Sequence, residues 1–257
     1  MSGRLLVVGL GPGASDLVTP AAQRALAEAT DLVGYAPYLD RIPTTVDHQR
    51  RHASGNRVEL ERACHALALA AQGRRVVVVS GGDPGVFAMA ATVFEAVEHG
   101  APEWRDLDIR VEPGVTAMLA AAAEVGAPLG GDFCAISLSD NLKSWSTIER
   151  RLLAAVEADF VIAIYNPASK ARGYQLRHAL DLLRASRDGG TVVLFVRAAG
   201  TPEARVDFST LETADAALAD MRTLVLVGSS QTRLIPRPDG RPWVYTPRSE
   251  RGPAWLV

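Results

Sequence analysis

The hydrophobic positions of this chain fall into short uncharged runs, separated by longer stretches in which apolar residues recur every three or four positions. Leu5 to Val8, Val76 to Val79, Val161 to Ile164, Val192 to Val196 and Leu224 to Val227 are such runs. They show no alternation that would leave one face wet, so they read as strands buried on both faces. Strands are expected at 4–10, 31–35, the valine run, 108–112, 132–138, 159–164, 191–196, 205–209, 223–227 and near Trp243–Tyr245. Helices are expected at 20–30, 58–73, 86–99, 117–125, 146–157, 172–187 and 213–221. The helix starts carry their own signals. Thr19-Pro20 is an N-cap followed by proline, and Ser146 or Thr147 with Glu149 suits a capping box. The polar segment 36–57 reads as an irregular loop. The alternation of strand and helix predicts an α/β protein. Gly126-Ala127-Pro128-Leu129-Gly130-Gly131 is the densest Gly/Pro stretch and marks a boundary. Two α/β domains are therefore expected, 1–127 and 128–246, followed by a tail at 247–257.

Chemistry gathers at the ends of these strands. The valine run leads into Ser80-Gly81-Gly82-Asp83-Pro84-Gly85, where bare backbone and one carboxylate suit either a ligand-binding strand end or a plain turn. Gly9-Leu10-Gly11-Pro12-Gly13-Ala14 fits the loose G-x-G-x-x-A dinucleotide pattern. Its helix begins late, at Thr19-Pro20, and the second strand ends in Gly34-Tyr35 without the acidic residue that a ribose needs. A dinucleotide is not the natural ligand of this loop. Pro113-Gly114-Val115-Thr116-Ala117 repeats the glycine bend before a helix, and Asn166, Arg197 to Gly200 and Gly228 to Ser230 follow later strands.

Composition narrows the function classes. The 257 residues carry a formal charge of −2, which gives no field for nucleic acid. No apolar run reaches the roughly 18 residues of a membrane span. The first strand starts almost at Met1 and leaves no room for a signal peptide. Cys64 and Cys134 stand alone, without the spacing of a disulfide framework or a metal site. Together these features predict a cytoplasmic protein without a bound metal.

The ordered set VGLGPG (8–13), SGGDPGVF (80–87), PGVTA (113–117), IAIYNP (162–167) and LVGSS (226–230) resembles the tetrapyrrole methylase family over roughly residues 4–246. ISLSD (136–140), IERRL (148–152) and YNPASKARGYQL (165–176) are similar to the branch that methylates C-17 of precorrin-3B and contracts the ring, in cobalamin biosynthesis. The resemblance implies two α/β domains with a cofactor cleft between them, a homodimer, and S-adenosylmethionine as methyl donor, leaving S-adenosylhomocysteine as product. It implies cofactor contacts at Pro12, Gly81, Gly82, Asp83, Val86, Thr116, Ala117, Asn166 and Ala199. The chain departs from the family at Gly55-Asn56, where a methionine often follows the glycine.

Methyl transfer from a sulfonium needs alignment more than a covalent catalyst, and no hydrolytic triad or carboxylate pair is visible in the sequence. Ring contraction benefits from an acid or base. Asp140, on a strand end, ranks first, with His48, His52 and Tyr35 or Tyr38 behind it. Arg50, Arg51, Lys143, Lys170 and Arg172 suit the carboxylates of a tetrapyrrole by charge. Competing readings are methylation at another precorrin or cobalt-precorrin position, an NAD(P)-binding oxidoreductase, and a non-catalytic tetrapyrrole carrier.

Overall fold

The computed structural model describes residues 3–44, 49–169 and 173–249. The chain divides into two units, Met1–Thr116 and Ala117–Val257.

The first unit is organised by its uncharged runs. β1 (Arg4–Gly9), α1 (Pro20–Glu28), β2 (Asp31–Tyr35), α2 (Ala36–Leu39), β3 (Arg50–Ser54), α3 (Glu59–Ala71), β4 (Arg75–Ser80), α4 (Met89–His99) and β5 (Asp108–Glu112) follow in order. The strands form one sheet in the order β3-β2-β4-β1-β5, with every pair parallel. Side chains of successive strand residues leave opposite faces, so each run feeds two cores. Leu5, Val7, Val76 and Val78 pack with α3 and α4, whereas Leu6, Val8, Val77 and Val79 pack with α1. Val76 to Val79 are at most 1% exposed, and burying each contributes about 1.5–3 kcal/mol. Thr19 caps α1 by accepting the Ala22 N–H at 3.1 Å, as its sequence predicts.

The second unit comprises α5 (Ala117–Val125), β6 (Gly126–Ala127), β7 (Phe133–Ser137), α6 (Trp145–Glu157), β8 (Val161–Tyr165), α7 (Gln175–Arg184), β9 (Val192–Arg197), β10 (Arg205–Thr210), β11 (Thr223–Val227), β12 (Arg233–Ile235) and β13 (Trp243–Tyr245). Its main sheet is mixed, in the order β10-β9-β11-β8-β7. β7 and β8 are parallel, and β11 runs against both β8 and β9. The carboxyl ends of β7, β8 and β9 therefore share one edge. Ile162, Ile164, Phe195 and Val225 pack with α6 and α7 in its core. A small sheet, β12-β13-β6, stands beside it.

Three expectations need correction. Segment 36–57 is not wholly irregular. It contains α2 and the edge strand β3, whose charged side chains hide a strand that pairs with β2 from Asp31↔Arg50 to Tyr35↔Ser54. The helix expected at 213–221 is only a 3-10 turn at Ala216–Leu218, because Asp215 and Asp220 bind nearby backbone N–H groups. The cap of α6 is Ser144, which accepts the Thr147 N–H at 3.3 Å, while Glu149 instead accepts from Trp145 Nε1 at 2.7 Å.

Candidate functional site

In a parallel sheet the carboxyl ends of all strands face one way, and ligands gather there. At that edge of the first unit, three loops are joined backbone to backbone. Gly11 and Gly82 exchange hydrogen bonds at 3.1 and 2.9 Å, which links the loops after β1 and β4. A Cβ on Gly114 would fall 2.2 Å from the Gly82 carbonyl oxygen, and one on Gly9 would fall 2.8 Å from Gly114. No side chain fits between these loops, so glycine is required for the approach itself. Asp83 completes the junction. Its Oδ1 accepts the Gly85 N–H at 2.8 Å and its Oδ2 accepts the Gly114 N–H at 3.0 Å, across from the end of β5. Arg41 holds the first loop from outside, its Nη2 donating to Leu10 O at 2.7 Å and Gly11 O at 3.2 Å. Pro12 and Val86 are half-buried in the same loops, and Thr116 is buried at the end of the third.

The second unit repeats the theme with different chemistry. Asn166, just past β8, has a φ of 52°, and its Nδ2 donates to Ser137 Oγ at 2.9 Å at the end of β7. Ser137 Oγ also accepts the Ser139 N–H at 3.2 Å, so one hydroxyl organises both strand ends. Asp140 is half-buried, and its Oδ2 accepts from Gln175 Nε2 at 3.0 Å. After β9, Ala198 has a φ of 52° and Ala199 is buried. Gly200 N–H donates to Glu124 Oε1 at 3.1 Å. Tyr165 Oη accepts the Met118 N–H at 3.0 Å in the first turn of α5, which begins at Ala117.

Asn166 and Ala198 hold left-handed backbone immediately after β8 and β9, and Phe87 does so in the loop between β4 and α4. Such strain in residues with side chains persists where the surroundings impose it, and it concentrates at functional sites.

Of the remaining candidates, His52 and Arg51 are engaged by other groups and Arg50 lies at the far end of β3. Tyr35 ends β2 at the edge of the glycine loops, and Lys143 follows Asp140 in the loop after β7. His52 sits on β3, its Nε2 2.8 Å from Asp31 Oδ1 and its Nδ1 3.0 Å from His65 Nε2. Asp31 is fully buried, and it also binds Arg74 Nε at 2.5 Å and Thr30 Oγ1 at 2.8 Å. Arg51 turns its guanidinium onto the carbonyls of Leu39, Ile42 and Pro43, at 2.8–3.0 Å. Arg50 is exposed on the edge strand, at the end of β3 opposite the glycine loops. Tyr35 packs edge-on against Tyr38 at 5.4 Å. Lys143 is half-buried, and burial together with Arg151 lowers its ammonium below the usual range. His48, Lys170 and Arg172 lie outside the described residues. Among the described residues no three His, Cys, Asp or Glu side chains are grouped to hold a metal, and no helix is long and apolar enough to cross a membrane. Arg41 and Arg62 were missed in the sequence, where nothing distinguishes them from other arginines.

Comparison with known proteins puts these loops in context. The tetrapyrrole (corrin/porphyrin) methylases match residues 4–215. A precorrin-3B C(17)-methyltransferase of Sinorhizobium sp. is 55% identical over 98% of this chain and 99% of its own length. A probable cobalt-factor III C(17)-methyltransferase of Salmonella typhimurium is 41% identical over 89% of this chain and 93% of its own. The crystal structure of the methyltransferase CobJ superposes with a TM-score of 0.90 at 55% identity, covering 96% of this chain and all of that one.

Proposed function

The chain belongs to the tetrapyrrole methylase family, and from that membership we propose that it methylates C-17 of precorrin-3B and contracts the ring to precorrin-4, in cobalamin biosynthesis. The observation that carries this reading is the 55% identity to the Sinorhizobium enzyme, which extends over nearly the full length of both chains. Identity is lower, at 41%, to the relative named for a cobalt-containing substrate, which favours the metal-free macrocycle. A cytoplasmic homodimer goes with this reading, and light scattering of the purified protein checks the dimer.

S-adenosylmethionine, when bound, supplies a methyl group already activated by its positive sulfur. The first unit suits such a donor in one respect that its geometry makes explicit. The meeting of Gly9, Gly82 and Gly114 leaves only backbone at the strand ends, and a Cβ on Gly9 or Gly114 would strike the adjoining loop and push the strand ends apart. Within this unit Pro12, Gly81, Gly82, Asp83, Val86 and Thr116 are the residues we assign to holding it; Ala117, Asn166 and Ala199 are the candidates that the second unit offers by itself. Asp83 acts by fixing the loops, since both of its oxygens already accept backbone N–H groups. Asn166 and Ala199 are offered by backbone that the Asn166–Ser137 hydrogen bond and the strained Ala198 keep in place. With reacting atoms held at roughly 3–3.5 Å, orientation supplies most of the rate for a displacement of this kind.

Asp140 is the residue we assign to proton transfer during ring contraction. Gln175 orients it through one oxygen, and Gln175 is itself buried. His48, His52 and Tyr35 rank behind it; His52 has both ring nitrogens engaged by Asp31 and His65.

The test is product analysis by mass spectrometry, with metal-free and cobalt-loaded precorrins supplied side by side and calorimetry with S-adenosylhomocysteine run in parallel. A methylated, ring-contracted product from precorrin-3B is expected. Binding of NADH in place of S-adenosylhomocysteine would overturn the reading.

A further inference from the structure

The carboxyl edge of the parallel sheet holds two guanidinium groups that form no direct ion pair with a carboxylate among the described residues. Arg62, on α3, is only 6% exposed. Its Nε donates to Ser54 Oγ at 2.7 Å, its Nη2 to Gly55 O at 2.6 Å, and its Nη1 reaches Met89 Sδ at 3.4 Å. All three partners are uncharged, and Glu59 acts on Arg62 only through space. Arg41 is open to solvent along part of its length and anchored at one nitrogen, again to carbonyl oxygens. A buried guanidinium without a counter-ion is costly, by several kcal/mol in general, and such a charge persists where something else answers it.

Tyr38 lies within electrostatic reach of both. Its ring lies over Gly81 so closely that a Cβ there would meet Cζ at 2.7 Å and Oη at 2.8 Å. Both arginines act on its phenol, while burial, the largest influence, pushes that phenol up and keeps it a neutral O–H donor. Among the described residues the hydroxyl makes no hydrogen bond. One unused donor near two cations that no carboxylate directly pairs, beside the glycine loop, is complementary to a carboxylate.

We propose that Tyr38, Arg41 and Arg62 form a carboxylate-binding subsite that receives one acidic arm of the substrate macrocycle. Tyr38 Oη and Arg41 make the contact, and Arg62 supplies charge from behind. The inference rests on the tetrapyrrole reading above. It also replaces Arg51 in the role expected of it, since Arg51 is committed to carbonyls. A carboxylate is present on S-adenosylmethionine too. There it neighbours an ammonium, which two bare guanidiniums would repel, whereas the arms of a tetrapyrrole carry no cation.

Tyr38→Phe and Arg41→Gln are the informative variants, because neither removes a buried charge. Each is expected to raise the KM for precorrin-3B about tenfold, the usual loss for one hydrogen bond to a charged group, with kcat changed far less. Affinity for S-adenosylhomocysteine, read by calorimetry, is expected to stay within about twofold of wild type in Tyr38→Phe, whereas Arg41→Gln also releases the loop that carries Pro12 and is expected to weaken it. Arg62→Lys, which keeps the charge but not the fork, should fall between wild type and the other two. An unchanged KM in both Tyr38→Phe and Arg41→Gln would overturn the proposal, and an equal loss for S-adenosylhomocysteine in Tyr38→Phe would reassign the subsite to the methyl donor. A wild-type protein inactive on precorrin-3B would defeat the methyltransferase reading itself. The subsite would then stand or fall on fluorescence titration with uroporphyrin, an octacarboxylate, where wild type must bind and Tyr38→Phe must bind about tenfold more weakly.

Discussion

Gly11 and Gly82 lie in loops about seventy positions apart in sequence, yet they exchange two backbone hydrogen bonds, at 3.1 and 2.9 Å. That bridge extends the pairing of β1 and β4 beyond the sheet and fixes where both glycine loops stand. Gly114 fits against it from the third side, with no room for a Cβ beside the Gly82 carbonyl. Gly114→Ala must push the loop after β5 away from the bridge. We expect a loss of about 1–3 kcal/mol in urea unfolding, typical of overpacking, together with at least tenfold weaker binding of S-adenosylhomocysteine. Unaltered cofactor affinity in a folded Gly114→Ala protein would detach the glycine junction from ligand binding.

Asp83 closes the same junction through both oxygens, and Asp83→Asn tests whether it acts as a scaffold. The amide can keep only one of the two acceptors and must present N–H donors to Gly85 or Gly114, which are donors themselves. The substitution should cost about 1–3 kcal/mol, as expected for an N–H left unsatisfied. Cofactor affinity should drop while any residual kcat keeps the wild-type pH profile. A shifted profile would make Asp83 a proton-transfer group instead.

The parts of this architecture that could be read from the sequence are those where one residue type serves one physical need. Val76 to Val79 announce a strand buried on both faces, and Gly81-Gly82 announce a close backbone approach. β3 was illegible because Arg50, Arg51 and His52 look like a solvated loop. The polar groups of Arg51 and His52 are satisfied by Leu39, Ile42, Pro43 and Asp31, which only the folded chain brings near. The helix expected at 213–221 failed for a local reason. Its aspartates offer the backbone better partners than a further helical turn does. Arg41 and Arg62 were missed because an arginine's burial and lack of a counter-ion are properties of its surroundings.

The Asp31 cluster sets a dependence of stability on pH that does not involve the strand ends. Burial alone would raise the Asp31 carboxyl, but His52, Thr30 and Arg74 together hold it below the usual carboxylate range. A depressed carboxyl contributes stability that is present above its unfolded value of about 3.9 and is lost as pH falls through the lower folded value. Asp31→Asn should therefore lose about 3–5 kcal/mol at neutral pH, the cost of breaking a buried pair. Its urea midpoint should converge on that of wild type at strongly acid pH. His65 acts in another window. Burial and the neighbouring His52 lower its pKa, so the unfolded chain takes up a proton first as pH drops below about 6.5. Wild type should lose stability from pH 7 towards pH 5 more steeply than His65→Gln does, and parallel urea midpoints across that range would remove His65 from the account.

Asp140 and Gln175 offer the sharpest separation of chemistry from binding. Gln175 is 2% exposed, and its Nε2 reaches Asp140 Oδ2 at 3.0 Å, so the carboxylate is aimed from below by a group that cannot move far. Asp140→Asn keeps the shape and removes the proton acceptor. The methyl donor is held by other residues, so S-adenosylhomocysteine affinity should be unchanged. A general base or acid contributes typically 10²–10⁴-fold, so formation of the ring-contracted product should slow by about that factor. Methylation itself, which requires alignment rather than proton transfer, should slow far less, and mass spectrometry should then find methylated, uncontracted macrocycle accumulating. Gln175→Leu keeps the carboxylate but loosens its aim, so its ring-contraction rate should fall by a smaller factor with an unshifted pH profile. If Asp140→Asn contracts the ring at the wild-type rate, the proton-transfer role passes to another residue, and the Asp140–Gln175 pair is only a brace between the end of β7 and the start of α7.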